Sequence, residues 1–248
     1  MTKRLIAVLM TFFLWGCAMV GRPPSPPVSG KALSLIEALR QTNIGMTSFK
    51  GVGKFHFWNN AQSASARVAW VGADKERFRV EILGISGHPD RAMACDGNWL
   101  YLLSKTERRL YRQRSADGDL GRMISIAIKP RDLVSLLAGR TPIPEYNFAE
   151  LSTDPAQGPV LVLKRGRHVV EKVFFSDDML RVFRIERFDR NGELLFQAVF
   201  EAMQTIDGYR VPERLSIIGP EAGLLLTVER YWTFAKVSSE MFKLDNPF

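Results

Sequence analysis

The sequence has few of the residues on which disulfide, metal and covalent chemistry depend. Its 248 residues include two cysteines and three histidines. His56, His88 and His168 stand in unrelated segments, without the short spacing that metal ligands need. No serine lies in a Gly-x-Ser-x-Gly motif, and Gly51 and Gly53 lie on a predicted strand rather than before a helix, as a phosphate loop requires. The sequence is therefore interpreted as that of a protein that is not an enzyme and binds no metal.

The chain also lacks an apolar run long enough to cross a membrane as a helix. Its N-terminal run, residues 5–15, would cover only about half of a ~30 Å hydrocarbon core at ~1.5 Å per residue. Lys3 and Arg4 precede this run and Gly16 ends it, an arrangement typical of a secretory signal peptide. The sequence predicts that residues 1–16 are this signal.

The segment Leu-Trp-Gly-Cys at residues 14–17 resembles the lipobox of bacterial lipoproteins. In that motif a peptidase cuts before the cysteine, whose thiol then carries a diacylglycerol. The resemblance implies that Cys17 begins the mature chain and carries diacylglycerol and an N-acyl chain such as palmitate, with no other cofactor. Trp15 is bulkier than the motif usually has, and an ordinary signal with an incidental cysteine is the alternative. Ala18, where an aspartate would retain the protein at the inner membrane, implies anchoring at the periplasmic face of the outer membrane.

Residues 17–30 predict a tether, because the segment RPPSPP at 22–27 favours a stiff, extended polyproline conformation. The net charge is +8, and removal of residues 1–16 would leave +6. A basic protein outside the cytoplasm is expected to meet anionic lipid or another protein rather than nucleic acid. If Cys17 is acylated, Cys95 has no disulfide partner, and its short apolar surroundings favour a buried structural thiol.

Residues 31–248 predict one mainly β (α+β) domain. Apolar residues spaced by three and four predict a helix over residues 31–43, and two further helical segments follow at 120–128 and 130–138. Period-two alternation predicts strands on both sides of this two-helix insert. These strands are placed at residues 65–70, 77–82, 99–103, 108–114, 160–164, 169–175, 180–189, 193–202, 209–218 and 224–231.

About 11 antiparallel strands in one flat sheet would leave long exposed edges, and several of these strands are apolar on both faces. A curled sheet with helices on its concave face would bury the second face. The predicted fold is therefore an incomplete barrel with helices as a lid over an apolar interior.

Five segments of this domain resemble the Lol-type lipoprotein carriers, which include the periplasmic LolA and the outer-membrane receptor LolB. They are FKGVG at 49–53, RFRVEILG at 77–84, DGNW at 96–99, PRDLVSLLAGR at 130–140 and YRVPERL at 209–215. The resemblance, closer to LolB, implies an outer-membrane lipoprotein that takes acylated lipoproteins or lipids as cargo, as in lipoprotein localisation. A periplasmic LolA-like carrier is the partner that this reading implies. A structural or regulatory envelope lipoprotein without a transport role is the alternative.

The same resemblance implies three sets of functional residues. A loop at 83–89 would help insertion into the membrane, with Leu83 and the tip residue Ile85, although burial of Ile85 in the core is an equal alternative. An arginine would hold the lid to the sheet, and Arg122, Arg131 and Arg140 all remain candidates. The predicted cavity lining is Trp70, Phe78, Val80, Trp99, Leu133, Leu136, Leu137, Phe196 and Phe200.

Overall fold

The computed structural model describes residues 30–74, 76–84, 87, 89–115 and 118–248. Cys17, the signal, nearly all of the tether and Ile85 lie outside the described residues, so the expectations placed on them stay predictions. Among the described helices, none is long and apolar enough to cross a membrane.

In the part of the chain that the structure describes, thirteen antiparallel strands form one sheet, in which almost every strand pairs with its neighbours in the sequence. The first half contains β1 (Ser48–Asn59), β2 (Ser63–Ala73), β3 (Arg77–Leu83), β4 (Pro89–Cys95), β5 (Trp99–Ser104) and β6 (Arg109–Arg114). The second half contains β7 (Phe148–Asp154), β8 (Gly158–Arg165), β9 (His168–Phe175), β10 (Val182–Phe188), β11 (Leu194–Ile206), β12 (Tyr209–Ile218) and β13 (Ala222–Trp232). β1 pairs with β13 at the centre, so β6 and β7 become the two edges.

The predicted mainly β fold with a curled, incomplete barrel is confirmed, with two strands more than expected. The additional strands include β7, which is an edge strand with few buried side chains and therefore a weak alternation. They also include β4, whose sequence has only a short apolar alternation.

Glycines allow aromatic rings to cross the middle of the sheet. Gly51 of β1 lies directly opposite Trp70 of β2, and Phe49 lies opposite Gly72. A Cβ atom on either glycine would overlap the facing ring, so each ring occupies the space that a side chain would need. Such positions weaken a flat strand and favour a sharply curved one.

The chain must cross the whole open side of the sheet between β6 and β7, because these strands are the opposite edges. Within this crossing lie α2 (Gly121–Ile124) and α3 (Pro130–Leu137). The predicted helix at residues 120–128 is wrong except for the single turn of α2. The remaining residues cannot coil as one helix because Ser125 adopts a left-handed conformation.

Two layers of side chains cover the two faces of the sheet. On the concave face, α1 (Gly30–Gln41) and α3 pack into one large apolar cluster with strands of both halves. On the outer face, the C-terminal segment runs back across β2 to β5, where Phe242 and Leu244 are buried. The concave cluster is the part of the fold that the helices shield from water.

Candidate functional site

The structure brings most of the predicted cavity residues together beneath the helices. Seven of them are buried in the concave cluster, namely Trp70, Phe78, Leu133, Leu136, Leu137, Phe196 and Phe200. Val80 packs against the margin of the same cluster.

Trp99 lies apart from the other predicted cavity residues, on the outer face of the sheet. Alternation along β5 turns Leu100 into the concave cluster and Trp99 to the other side. There its ring lies beneath the guanidinium groups of Arg112 and Arg114, at 4.2 and 4.7 Å. Trp99 is therefore not part of the interior that α1 and α3 cover.

An apolar pocket of about 150 Å³, here called the mouth pocket, opens between α1 and the ends of β9, β10 and β11. Leu39, Phe175 and Phe200 line it and also belong to the buried cluster, so the pocket is an open end of the hydrophobic core. The complete lining is Leu35, Ala38, Leu39, Thr42, Gly139, Thr141, Phe175, Met179, Leu180, Val182, Phe200, Met203 and Arg210.

A larger depression of about 520 Å³ lies beside Arg40 and Arg131 and along residues 143–147. Its border is charged and polar, which does not suit an apolar ligand. The mouth pocket is therefore the better candidate for binding an acyl chain.

The two helices that cover the concave face are held with very different strength. α3 buries six of its eight residues, and its Asp132 enters a buried ion-pair network. α1 buries only Ala32, Ile36 and Leu39 of its twelve residues. Among the described residues, no salt bridge joins a side chain of α1 to the sheet. The helix that borders the mouth pocket is thus the one that can be displaced at lower cost.

Arg187 of β10 attaches α3 to the sheet. Its guanidinium group donates hydrogen bonds of 2.6 and 2.9 Å to Glu171 of β9 and one of 3.1 Å to Asp132 of α3. A fourth hydrogen bond of 3.2 Å reaches the carbonyl oxygen of Pro142. All three charged residues are buried, so the network is shielded from water.

The network holds two carboxylates against one cation in a dry environment. Burial, with a smaller contribution from nearby Asp132, raises the pKa of Glu171 to about 8 against the opposing effect of Arg187. The Oε1 atom of Glu171 is buried without a hydrogen-bond partner, in agreement with this unfavourable environment for the charged form.

The arginines considered from the sequence have other positions. Arg140 donates from its guanidinium group to the carbonyl oxygens of Asn43, at 2.7 Å, and of Met46. It therefore holds the loop between α1 and β1. Arg131 lies 3.9 Å from a carboxylate oxygen of Asp132, at the edge of the buried network, and Arg122 is exposed.

Asn43 strengthens the attachment at the C-terminal end of α1. Its side-chain amide donates to the carbonyl oxygens of Ala138, at 2.9 Å, and Arg210, at 2.7 Å. The amide oxygen of Asn43 accepts from the backbone N–H of Arg210. α1 is consequently fixed at its C-terminal end, while the rest of the helix packs on the sheet through three buried side chains.

Other residues considered from the sequence have structural positions. Leu83 ends β3 half-buried, opposite Pro89 of β4. Cys95 is a free thiol whose pKa is raised by burial, and its predicted burial is confirmed. Within the part of the chain that the structure describes, no group of three or more His, Cys, Asp or Glu side chains could hold a metal ion.

Solved structures resemble this arrangement of sheet and helices. A crystal structure described as an outer membrane lipoprotein-sorting protein domain from Vibrio parahaemolyticus has a TM-score of 0.60 at 13% identity, covering 86% of this chain and 96% of that one. A LolA superfamily protein from Nitrosomonas europaea has a TM-score of 0.54 at 13% identity, with coverages of 86% and 97%. The chain has the LolA-type fold.

A third structure widens the range of proteins with the LolA-type fold. A protein of the DUF1329 family from Desulfovibrio piger has a TM-score of 0.59 at 9% identity, covering 86% of this chain and 96% of that one. No family model and no curated protein matches the chain by sequence. The predicted resemblance to LolA-type carriers is thus confirmed at the level of the fold, and the closer likeness to LolB stays a prediction.

Proposed function

We propose that the protein is an outer-membrane-anchored lipoprotein that binds the acyl chains of lipoproteins or lipids between α1 and the concave sheet. Its role would be the sorting of lipoproteins or their insertion into the membrane. The observation that carries this proposal is the mouth pocket, an apolar opening into the core beside the weakly held helix. The LolA-type fold supports it, since one similar structure is described as a lipoprotein-sorting domain.

Binding would proceed by exchange of apolar contacts. A cavity of ~150 Å³ accepts a molecule the size of benzene, so the mouth pocket admits the end of an acyl chain but not a whole chain. Deeper binding requires α1 to lift Ile36 and Leu39 from the sheet, which costs about 3–6 kcal/mol at ~1.5–3 kcal/mol for each side chain. Each buried methylene returns ~0.8 kcal/mol, so roughly four to eight methylenes offset the displacement. Longer acyl chains would bind with a net gain.

The anchor would hold this site near its cargo. Acylation of Cys17 with a diacylglycerol and an N-acyl chain would give two or more buried chains, which is what stable membrane attachment needs. The proline-containing tether at residues 17–30 would set the distance between the domain and the membrane. A periplasmic carrier of the LolA type would deliver the cargo.

Uptake of a fluorescent fatty acid tests this proposal. Ala38 is exposed on α1 and lines the mouth pocket, so Ala38→Trp should fill the pocket without disturbing the core. We expect wild type to bind the probe with enhanced emission and Ala38→Trp to lose most of this binding. Ser34→Trp is the matched control, because Ser34 is exposed on the same helix and does not line the pocket. Equal binding by Ala38→Trp and Ser34→Trp, or none by wild type, would contradict the proposal.

One observation favours a structural or regulatory envelope lipoprotein without a transport role. The side chains of α1 and α3 fill much of the concave face, and the mouth pocket is smaller than the ~300–1,000 Å³ of ordinary ligand sites. Depletion of the protein in cells separates the two functions. Accumulation of lipoproteins at the inner membrane or in the periplasm supports the carrier, whereas normal sorting with a different envelope defect supports the alternative.

A further inference from the structure

Four large apolar side chains are exposed at one end of the sheet. They are Leu180, Phe234, Ile44 and Trp232, with 79%, 73%, 63% and 40% of their surfaces exposed. They come from the β9–β10 turn, the α1–β1 loop and the end of β13 with the segment that follows. β1 begins and β13 ends at this same end, because Lys50 pairs with Trp232. We call it the mouth end.

Contacts in the structure join these segments around the mouth pocket. Leu180, Thr42 and Arg210 all line the pocket, and Asn43 is hydrogen-bonded to the backbone of Arg210 on both sides. Ile44 follows directly, so it lies beside the opening. The pocket therefore opens among exposed apolar residues.

The β11–β12 turn connects the same rim to the exposed aromatic residues. Thr233 donates a hydrogen bond of 2.6 Å to Asp207 in this turn, and Tyr209 at the start of β12 lies against Gly45. Phe234 and Trp232 flank Thr233, whose side chain is buried. The rim is thus continuous from Leu180 to Phe234.

The chemistry of the mouth end suits a lipid surface. The ammonium group of Lys50 lies 5.2 Å from the centre of the Trp232 ring, and Arg230 and Lys236 are exposed beside these aromatic residues. Tryptophan and cations are enriched where proteins meet the headgroup layer, and the cations attract anionic lipid. Exposed apolar side chains gathered at one site are uncommon on monomeric proteins unless they contact a partner.

We propose that the mouth end faces the bilayer surface, with Leu180, Ile44 and Phe234 inserted among the lipids and the mouth pocket opening against them. An acyl chain could then pass between membrane and protein without crossing water. Leu83 and Pro89, which border the loop for which the sequence predicts membrane contact, lie away from the mouth end, since β3 begins at that end and runs away from it. This orientation adds a route for the acyl chain to the proposed function, and it rests on the proposal that the protein binds acyl chains.

Fluorescent labels on the full acylated chain test this orientation. Leu180→Cys and Phe234→Cys place a thiol at the mouth end, and Asn191→Cys is the control in an exposed turn at the opposite end. Ile85→Cys reports on the loop predicted from the sequence. Buried Cys95 should not compete for the label. Each labelled protein is reconstituted on phosphatidylethanolamine–phosphatidylglycerol vesicles that contain spin-labelled phospholipid.

We expect a blue shift and strong quenching at positions 180 and 234 and neither change at position 191. Quenching at 85 or 191 without quenching at 180 and 234 would overturn the orientation. An absence of quenching at all four positions would overturn it as well and would leave the exposed residues to a protein partner.

A second measurement separates this inference from the proposed function. The double variant Ile44→Ser with Phe234→Ser changes only exposed side chains that do not line the mouth pocket, so it should fold as wild type does. We expect slower transfer of the fluorescent acyl probe from vesicles, with unchanged uptake of the same probe from water. Transfer at the wild-type rate would contradict the orientation while leaving the pocket intact. Membrane quenching without any probe uptake by wild type would instead contradict the proposed function and keep the orientation.

Discussion

Replacement of Arg187 by methionine should destabilise the protein more than almost any other loss of one charge. Methionine keeps much of the side-chain volume but removes four hydrogen bonds, three of them to carboxylates. Glu171 and Asp132 would remain buried without their cation. Removing one partner of a buried ion pair typically costs about 3–5 kcal/mol, against a total stability of ~5–15 kcal/mol.

The size of the loss should depend on pH. At about pH 9, above the raised pKa of Glu171, this carboxylate of wild type is charged and Arg187 compensates for it, so removal of Arg187 has its full cost. At about pH 5 Glu171 carries a proton in both proteins, since burial raises its pKa to about 8 even with Arg187 present, and removal of the cation then leaves no charge on this carboxyl group uncompensated. The difference in stability between wild type and Arg187→Met should therefore shrink as the pH falls.

Urea unfolding followed by circular dichroism measures this difference. With a slope near ~2–3 kcal/mol per molar urea, a loss of about 3–5 kcal/mol lowers the midpoint by roughly 1–2.5 M. Arg67→Met is the matched control, because Arg67 forms a single exposed ion pair with Glu229, for which ~0–1 kcal/mol is expected. Equal losses for the two variants would refute the reasoning. Hydrogen exchange should also rise most in α3, since Asp132 loses its link to the sheet.

Three further predictions follow from single residues. The pKa of Glu171 is raised from 4.5 to about 8, so between these pH values the folded state keeps a proton that the unfolded state releases. The free energy of unfolding should therefore fall as the pH rises from 4.5 to about 8. Urea titrations of Glu171→Gln should show a smaller decline over this range. Gly51→Ala should lower the thermal midpoint through a loss of about 1–3 kcal/mol, because its Cβ would overlap the Trp70 ring, whereas Gly30→Ala, with open space around it, should change little. Cys95 should react with iodoacetamide only after unfolding, and rapid labelling of the native protein would show that its burial is wrong.

Period-two alternation was sufficient to predict the curled sheet, because most strands bury one face and expose the other. It failed for β7, whose edge position needs few buried side chains. The apolar pattern that predicted a helix at residues 120–128 also failed, because these residues are apolar without being one helix. The predicted cavity residues came together where a strand had one dominant apolar face. Trp99 did not, because β5 is apolar on both faces and composition alone does not show which side the helices cover.

The arginine that attaches the lid could have been found by the same alternation. Arg187 follows buried Ile185 by two residues, so it occupies an inward position on β10, and Glu171 precedes inward-facing Val173 by two on β9. A charged residue in an inward register requires a buried partner. Closeness in sequence to α2 and α3 was a misleading criterion, because the arginine that binds α3 belongs to a strand of the sheet that α3 covers.

The unequal attachment of the two helices indicates how the fold can open without unfolding. Opening at α3 would separate Asp132 from Arg187 and leave buried charges unpaired, at a cost comparable to much of the total stability. Opening at α1 exposes mainly Ile36 and Leu39, and an acyl chain replaces that apolar contact directly. Asn43 and Arg140 keep the C-terminal end of α1 in place, so the helix can tilt about that end rather than detach. The mouth pocket lies beside this fixed end, among the exposed apolar residues of the mouth end. A tilting α1 would therefore deepen the pocket inward along Leu35 and Ile36, while its opening stays at the surface from which we propose that acyl chains arrive.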